Sequence, residues 1–122
     1  MAAQVRAIRG ATCVDVDEAE HLTKRVVDLL QAILERNGVS KDDLISVLFT
    51  ATDDLHSMFP ATAARTIGLG DVPLICAREL DIIDSKPRCI RVMVHCTTER
   101  ARDELHHIYL EGTKSLRDDL PS

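Results

Sequence analysis

The stretch "CIRVMVHC", residues 89–96, decides what kind of fold this chain can have. Read as a strand, it puts Ile90, Val92, Val94 and Cys96 on one face and Cys89, Arg91, Met93 and His95 on the other. The first face is wholly apolar and the second half apolar, so the strand belongs in a sheet covered on both sides. Arg91 stands in its middle. A guanidinium keeps its proton, and burying one without a partner costs several kcal/mol. Either a protein carboxylate or an anionic ligand has to meet it.

Working outward, "VPLICARELDI" (72–82) holds a strand whose end carries Cys76 and Glu79, and "SKP" (85–87) turns the chain into the arginine strand. "LISVLFTAT" (44–52) is a buried strand, and "QVRAIRGATCV" (4–14) an opening strand broken at Gly10. Between these two, "DVDEAEHLTKRVVDLLQAILERNG" (15–38) places Leu22, Val26, Leu29, Leu30, Ile33 and Leu34 at helical spacing. Acidic residues crowd its start, Arg36 lies in its last turn, and Gly38 supplies the stop. "VSKDD" (39–43) is a turn or one helical turn, and "FPATAARTIG" (59–68), opening on Pro and ending on Gly, a short helix. After residue 96 the chain turns polar: a helix or loop, a short strand in "HHIYLEG" (106–112), and a polar tail from about residue 112.

Only one helix is long enough to serve as a crossover, which argues against a doubly wound parallel sheet. The expectation is a single α+β domain over residues 1–122: a mixed sheet with one main helix on one face. Its other face needs a cover, and in so short a chain a second subunit is the natural one.

Composition narrows the function. The chain has 122 residues, 45% of them hydrophobic, but only 2% aromatic, and its formal charge is −5. Nucleic-acid binding by base stacking or a basic face is excluded on both counts. No apolar run reaches the length of a membrane span and the first ten residues lack a long apolar region, so a soluble cytoplasmic protein is expected. The cysteines, at 13, 76, 89 and 96, form no Cys-x-x-Cys pair. Cys89 and His95 share a strand face but lie roughly 20 Å apart along it, too far for one metal. Reduced thiols are expected, with neither a metal site nor a disulfide.

Arg9, Glu79, Arg91 and Tyr109 sit in or beside apolar strands, and Arg65 in the short helix. Arg91 paired with Glu79, the other arginines solvated, is the structural account. One glutamate cannot neutralise several arginines, however, and surplus cations at buried strands suit a site for a small polycarboxylate held by guanidinium forks. No nucleophile elbow, phosphate-cradling glycine loop or paired histidine ligands occur. The five histidines are scattered, and Cys76 has no base near it in sequence.

Five segments in order, "AIRGATCV", "TATDDLHSMFPATAAR", "VPLICARELDI", "CIRVMVHC" and "HIYLEGTKSLR", resemble the monofunctional, non-helical chorismate mutases over about Arg6 to Leu120. The resemblance implies a mixed five-stranded sheet with one long helix and a short helical segment, assembling as a homotrimer with a pseudo α/β-barrel core and active sites between subunits. It implies the rearrangement of chorismate to prephenate, in aromatic amino-acid biosynthesis, with no cofactor and no metal. By that resemblance Arg91 binds a carboxylate and faces the ether oxygen, Arg9 and Tyr109 hold the side-chain carboxylate, and Glu79 with Cys76 meets the ring hydroxyl. Leu74 and Ile75 line the site, while Phe59, Ala61, Arg65, Leu116 and Arg117 come from the neighbouring subunit, the tail ordering over the ligand. Thr62 stands where the family often has lysine, and Ile75 where it often has a small hydroxyl residue. The alternatives are a trimeric enamine/imine deaminase, which would ignore chorismate, and a non-catalytic carboxylate-binding trimer, which would bind it without turnover.

Overall fold

The computed structural model describes residues 2–116; the expectations for Arg117 and the rest of the tail lie outside the described residues. The chain runs β1 (Gln4–Cys13), α1 (Ala19–Asn37), β2 (Leu44–Ala51), α2 (Pro60–Arg65), β3 (Leu74–Arg78), β4 (Cys89–Thr98) and β5 (Ile108–Tyr109). Single 3-10 turns occupy Lys41–Asp43, Arg102–Glu104 and Thr113–Leu116. The five strands form one sheet in the order β3-β2-β4-β1-β5. β4 is antiparallel to both β1 and β2, whereas β3 and β5 run parallel to their neighbours, so the sheet is mixed as expected.

α1 forms where the periodicity predicts. Its buried stripe of Leu22, Val26, Leu29, Leu30 and Ile33 lies against the sheet face made by Ile8, Val47, Phe49, Ile90, Val92 and Val94. Each such side chain taken out of water contributes about 1.5–3 kcal/mol. The helix stops at Gly38, whose φ of 62° is left-handed and whose N–H reaches back to the Glu35 carbonyl. Asn37, fully buried, clamps this end: its Nδ2 donates to the Ile33 and His106 carbonyls at 2.8 and 3.0 Å. Its Oδ1 accepts from the His106 N–H at 2.7 Å. One side chain thus ties the helix end to the approach of β5.

Several expectations change. β1 is not broken at Gly10; the strand continues to Cys13. A Cβ at Gly10 would lie 2.9 Å from the Ile108 carbonyl oxygen and 3.0 Å from Ile33 Cδ1, so the glycine admits the close approach of β5 and α1. The six-residue α2, with its flanking loops, serves as the crossover between the parallel strands β2 and β3, although only α1 looked long enough for such work. Apart from Cys89, buried at 4% exposure on the face of Arg91, β2 and β4 are buried on one face only. Ile90, Val92, Val94 and Cys96 are within 4% of complete burial, whereas Arg91 is exposed and Met93 and His95 half-exposed. Leu48 and Ile75 are exposed on that same open face.

The cysteines also depart from expectation. Cys13 and Cys89 are opposite each other in the β1–β4 ladder, their Cα atoms 4.2 Å apart, and form a disulfide across 76 residues of sequence. The other two are free: Cys76 is half-buried, and Cys96 is buried, which pushes its thiol pKa up, with Asp43 adding to the shift. Without reductant, a thiol titration of the native protein should therefore count Cys76 alone. Denaturation should add Cys96, and reduction the remaining two. Losing the cross-link should cost about 2–4 kcal/mol of unfolding free energy, from the loop it closes. Four thiols titrating in denaturant before any reduction would remove the disulfide.

Candidate active site

The open sheet face carries the charged residues that fit no core. Across one row, Tyr109 of β5, Ala11 of β1, Arg91 of β4, Thr50 of β2 and Ala77 of β3 stand side by side. Ala11, fully buried, and Ala77 are the small members of this row, beside Arg91 and Thr50 respectively. The next row holds Arg9, Met93, Leu48 and Ile75. Side chains two positions apart on a strand share a face, so Arg9, Arg91 and Tyr109 all project to the same side.

Glu79 enters from just past β3. Its backbone N–H extends the ladder to the Ala51 carbonyl at 2.9 Å. Its Oε2 lies 3.3 Å from Arg91 Nε and accepts a 2.7 Å hydrogen bond from Thr50 Oγ1. Oε1 accepts from the Leu80 N–H at 3.3 Å. The Arg91 side chain is 44% exposed and that of Glu79 22%, so solvent screening leaves the pair little weight in stability. Among the described residues the ion pair engages Nε and leaves the two terminal nitrogens of Arg91 for something else. A hollow of about 260 Å³ opens here, bordered by Thr52, Glu79, Arg91 and Leu116.

The start of β4 is fixed next to this hollow. Asp54 accepts from the Arg88 N–H at 3.0 Å and from Thr52 Oγ1 at 2.6 Å. Thr52 Oγ1 in turn accepts from the Cys89 N–H at 3.0 Å. These bonds hold Arg88 at a φ of 51° and set the register that aims Arg91.

Other expected site residues fall nearby or elsewhere. Arg9 borders a separate hollow of about 400 Å³ with Met93, His95, Arg102 and His107. Its N–H donates to His107 Nδ1 at 2.9 Å, which makes Nδ1 the acceptor of that ring. Leu74 and Cys76 alternate to the covered face with Val47 and Phe49, while Ile75, 64% exposed, faces the open side. β3 is an edge strand, and the bonds from Val47 N–H to Pro73 and from Glu79 N–H to Ala51 turn alternate residues toward β2. The Cys76 N–H therefore points outward from the sheet edge, while its side chain lies on the covered face.

Phe59, Ala61 and Arg65 belong to α2 and its start, on the side away from Arg91. Ala61 is buried, Arg65 exposed, and Phe59 is 70% exposed over a hollow of about 760 Å³ that also touches Cys76. The loop carrying Phe59 is pinned by Asp17. Hydrogen bonds from Ser57 and the His56 N–H hold the Asp17 carboxyl below its ordinary pKa. Leu116, expected from a neighbouring copy, borders the Arg91 hollow of its own chain. The tail begins anchored: Thr113 is buried, and its Oγ1 donates to the Leu110 carbonyl at 2.7 Å.

Thr50 escaped the sequence. Its position opposite Arg91 is the signal, and that becomes visible only when the β2–β4 register is known. Among the described residues no group of histidine, cysteine and carboxylate side chains is arranged to hold a metal, and no helix is long and apolar enough to cross a membrane. The face offers separated guanidinium groups for anionic oxygens and one carboxylate able to accept from a hydroxyl. Such a set has the chemistry to hold and orient a small dianion.

Comparison with known proteins agrees. The chain is 45% identical over 119 residues to the chorismate mutase AroH of Thermus thermophilus, covering 97% of this chain and 98% of that one. To the chorismate mutase AroH of Bacillus subtilis it is 40% identical over 117 residues, covering 95% and 92% respectively. A solved chorismate mutase from Clostridium thermocellum superposes with a TM-score of 0.88 at 42% identity, over 90% of this chain and 98% of that one. The family described as chorismate mutase type I matches residues 5–120, and with this coverage the chain belongs to that family.

Proposed function

We propose that this chain, a chorismate mutase and hence an isomerase, rearranges chorismate to prephenate on its open sheet face at Arg91, in a site completed by further copies of itself. The observation that carries the proposal is the Arg91–Glu79 pair, half-open to solvent and joined on the same face by Arg9 and Tyr109.

The reaction is an intramolecular Claisen rearrangement: one ether C–O bond breaks as one C–C bond forms. It requires no proton transfer and no covalent intermediate. The protein can therefore act by holding the compact conformer of the substrate and by stabilising charge that grows on the ether oxygen. The terminal nitrogens of Arg91, unengaged among the described residues, take a carboxylate and the ether oxygen. Arg9 and Tyr109 hold the side-chain carboxylate. Glu79 accepts from the ring hydroxyl, assisted by the outward Cys76 N–H at the sheet edge.

A homotrimer in the cytoplasm belongs to the same proposal. The apolar Leu48 and Ile75 supply the argument for assembly, because a second copy laid on them removes them from water. That copy would bring Phe59, Ala61 and Arg65 to the site. The proposal is tested by following chorismate absorbance with the purified chain, Arg9→Ala alongside the parent. Arg9 meets a carboxylate present in substrate and transition state alike, so KM should rise about tenfold or more while kcat changes less. Unchanged KM and kcat would take Arg9 out of the site.

A further inference from the structure

We propose that Thr50 is a positioning residue that keeps the Arg91–Glu79 pair from closing on itself. The inference rests on the site assigned above to Arg91 and Glu79. Thr50 stands directly across β2 from Arg91, and its hydroxyl makes the shortest contact in the cluster, 2.7 Å to Glu79 Oε2. The same Oε2 is 3.3 Å from Arg91 Nε, while among the described residues Oε1 has the 3.3 Å contact with the Leu80 N–H alone.

A guanidinium and a carboxylate left to themselves favour a fork of two parallel N–H···O bonds. Such a fork would draw Oε1 onto an Arg91 terminal nitrogen. It would spend both groups at once: the nitrogen due to the substrate's anionic oxygens and the oxygen due to its hydroxyl. The Thr50 hydroxyl holds Oε2 at one edge of the arginine, so the pair touches through one oxygen and Nε alone. Oε1 keeps the lone-pair capacity that an incoming hydroxyl needs. A closed fork would act as a competing state of the free protein, one that each binding event must first open.

Thr50→Val, equal in size and lacking the hydroxyl, should therefore raise KM for chorismate about tenfold and leave kcat within about threefold, because saturated protein has its fork open. Thr50→Ser should restore KM to within about threefold of the parent. In the Glu79→Gln background, assayed with enough protein to see residual turnover, Thr50→Val should add nothing to KM, since a neutral amide forms no such fork. A loss of sheet integrity would instead reduce kcat and the melting temperature, in Ser and Val variants alike. With Glu79→Gln impaired, three results would each sink the role of Thr50 alone: unchanged KM in Thr50→Val, a serine variant as poor as the valine one, or an equal KM rise in both backgrounds. Glu79→Gln turning over like the parent would overturn the site itself and Thr50's part in it together.

Discussion

Arg91→Ala should lower kcat/KM for chorismate on the order of a thousandfold while leaving the melting temperature nearly unchanged. The two halves of this expectation come from different facts. Removing a single preorganised donor from a site where charge develops costs about a hundred- to a thousandfold in rate. Arg91 also contributes carboxylate binding, which sets the loss at the upper end. Stability is spared because the arginine is 44% exposed and its only described ion pair is half-solvated. Arg91→Lys separates charge from shape: the ammonium keeps the positive charge, but it cannot serve Glu79 and the substrate in one plane. A loss of about a hundredfold is expected for it. Lysine variants within a few-fold of the parent would show that a point charge suffices and would take the guanidinium geometry out of the mechanism.

Leu48→Asp should yield a folded monomer with turnover reduced by at least about a hundredfold. Leu48 lies in the middle of the open face, between Met93 of β4 and Ile75 of β3, and is 38% exposed in the single chain. Its neighbours make no demand on it for folding, since the core is on the other face with Val47 and Phe49. A carboxylate pressed between two copies would cost several kcal/mol, which is enough to separate them. In the proposed assembly Phe59 and Arg65 of the neighbouring copy would then leave the site, and misplacement of supporting groups alone is worth about a hundredfold. Sedimentation reports the assembly, circular dichroism the fold, and chorismate absorbance the turnover. A monomer of full activity would mean that one chain holds the whole site. An intact, active oligomer would mean that the copies meet by another surface.

What could be read before the coordinates were known was what the chain encodes locally. α1 carries its apolar stripe and its glycine stop within one segment, and its ends fall within a few residues of expectation. Arg91 declared itself because a permanent charge in an apolar strand needs an explanation, and Glu79 was its candidate partner. Arg9 and Tyr109 gained their roles from the family resemblance; their sharing of a face with Arg91 follows from pairings no local pattern contains. Register is the common cause of what stayed hidden. Cys13 and Cys89 are 76 residues apart and become neighbours only in the β1–β4 ladder. Gly10 looked like a strand breaker because the close approach of Ile108 and Ile33 was not visible. Asn37 gave no signal in the sequence, because its partner His106 lies 69 residues on.

The placement of β4 bears on how the molecule fluctuates. Every described residue from Cys89 to Thr98 faces β1, and most face β2 as well. Amides bonded in the middle of a sheet exchange with solvent only when the whole domain opens, whereas edge strands and loops exchange through smaller excursions. Arg91 therefore rides on a central strand, where slow exchange is expected. Glu79 follows an edge strand, and Leu116 is in a terminal turn, both places where faster exchange is expected. A substrate can enter and a product leave by disturbing the quick perimeter alone, so repeated turnover need not loosen the strand that carries the arginine.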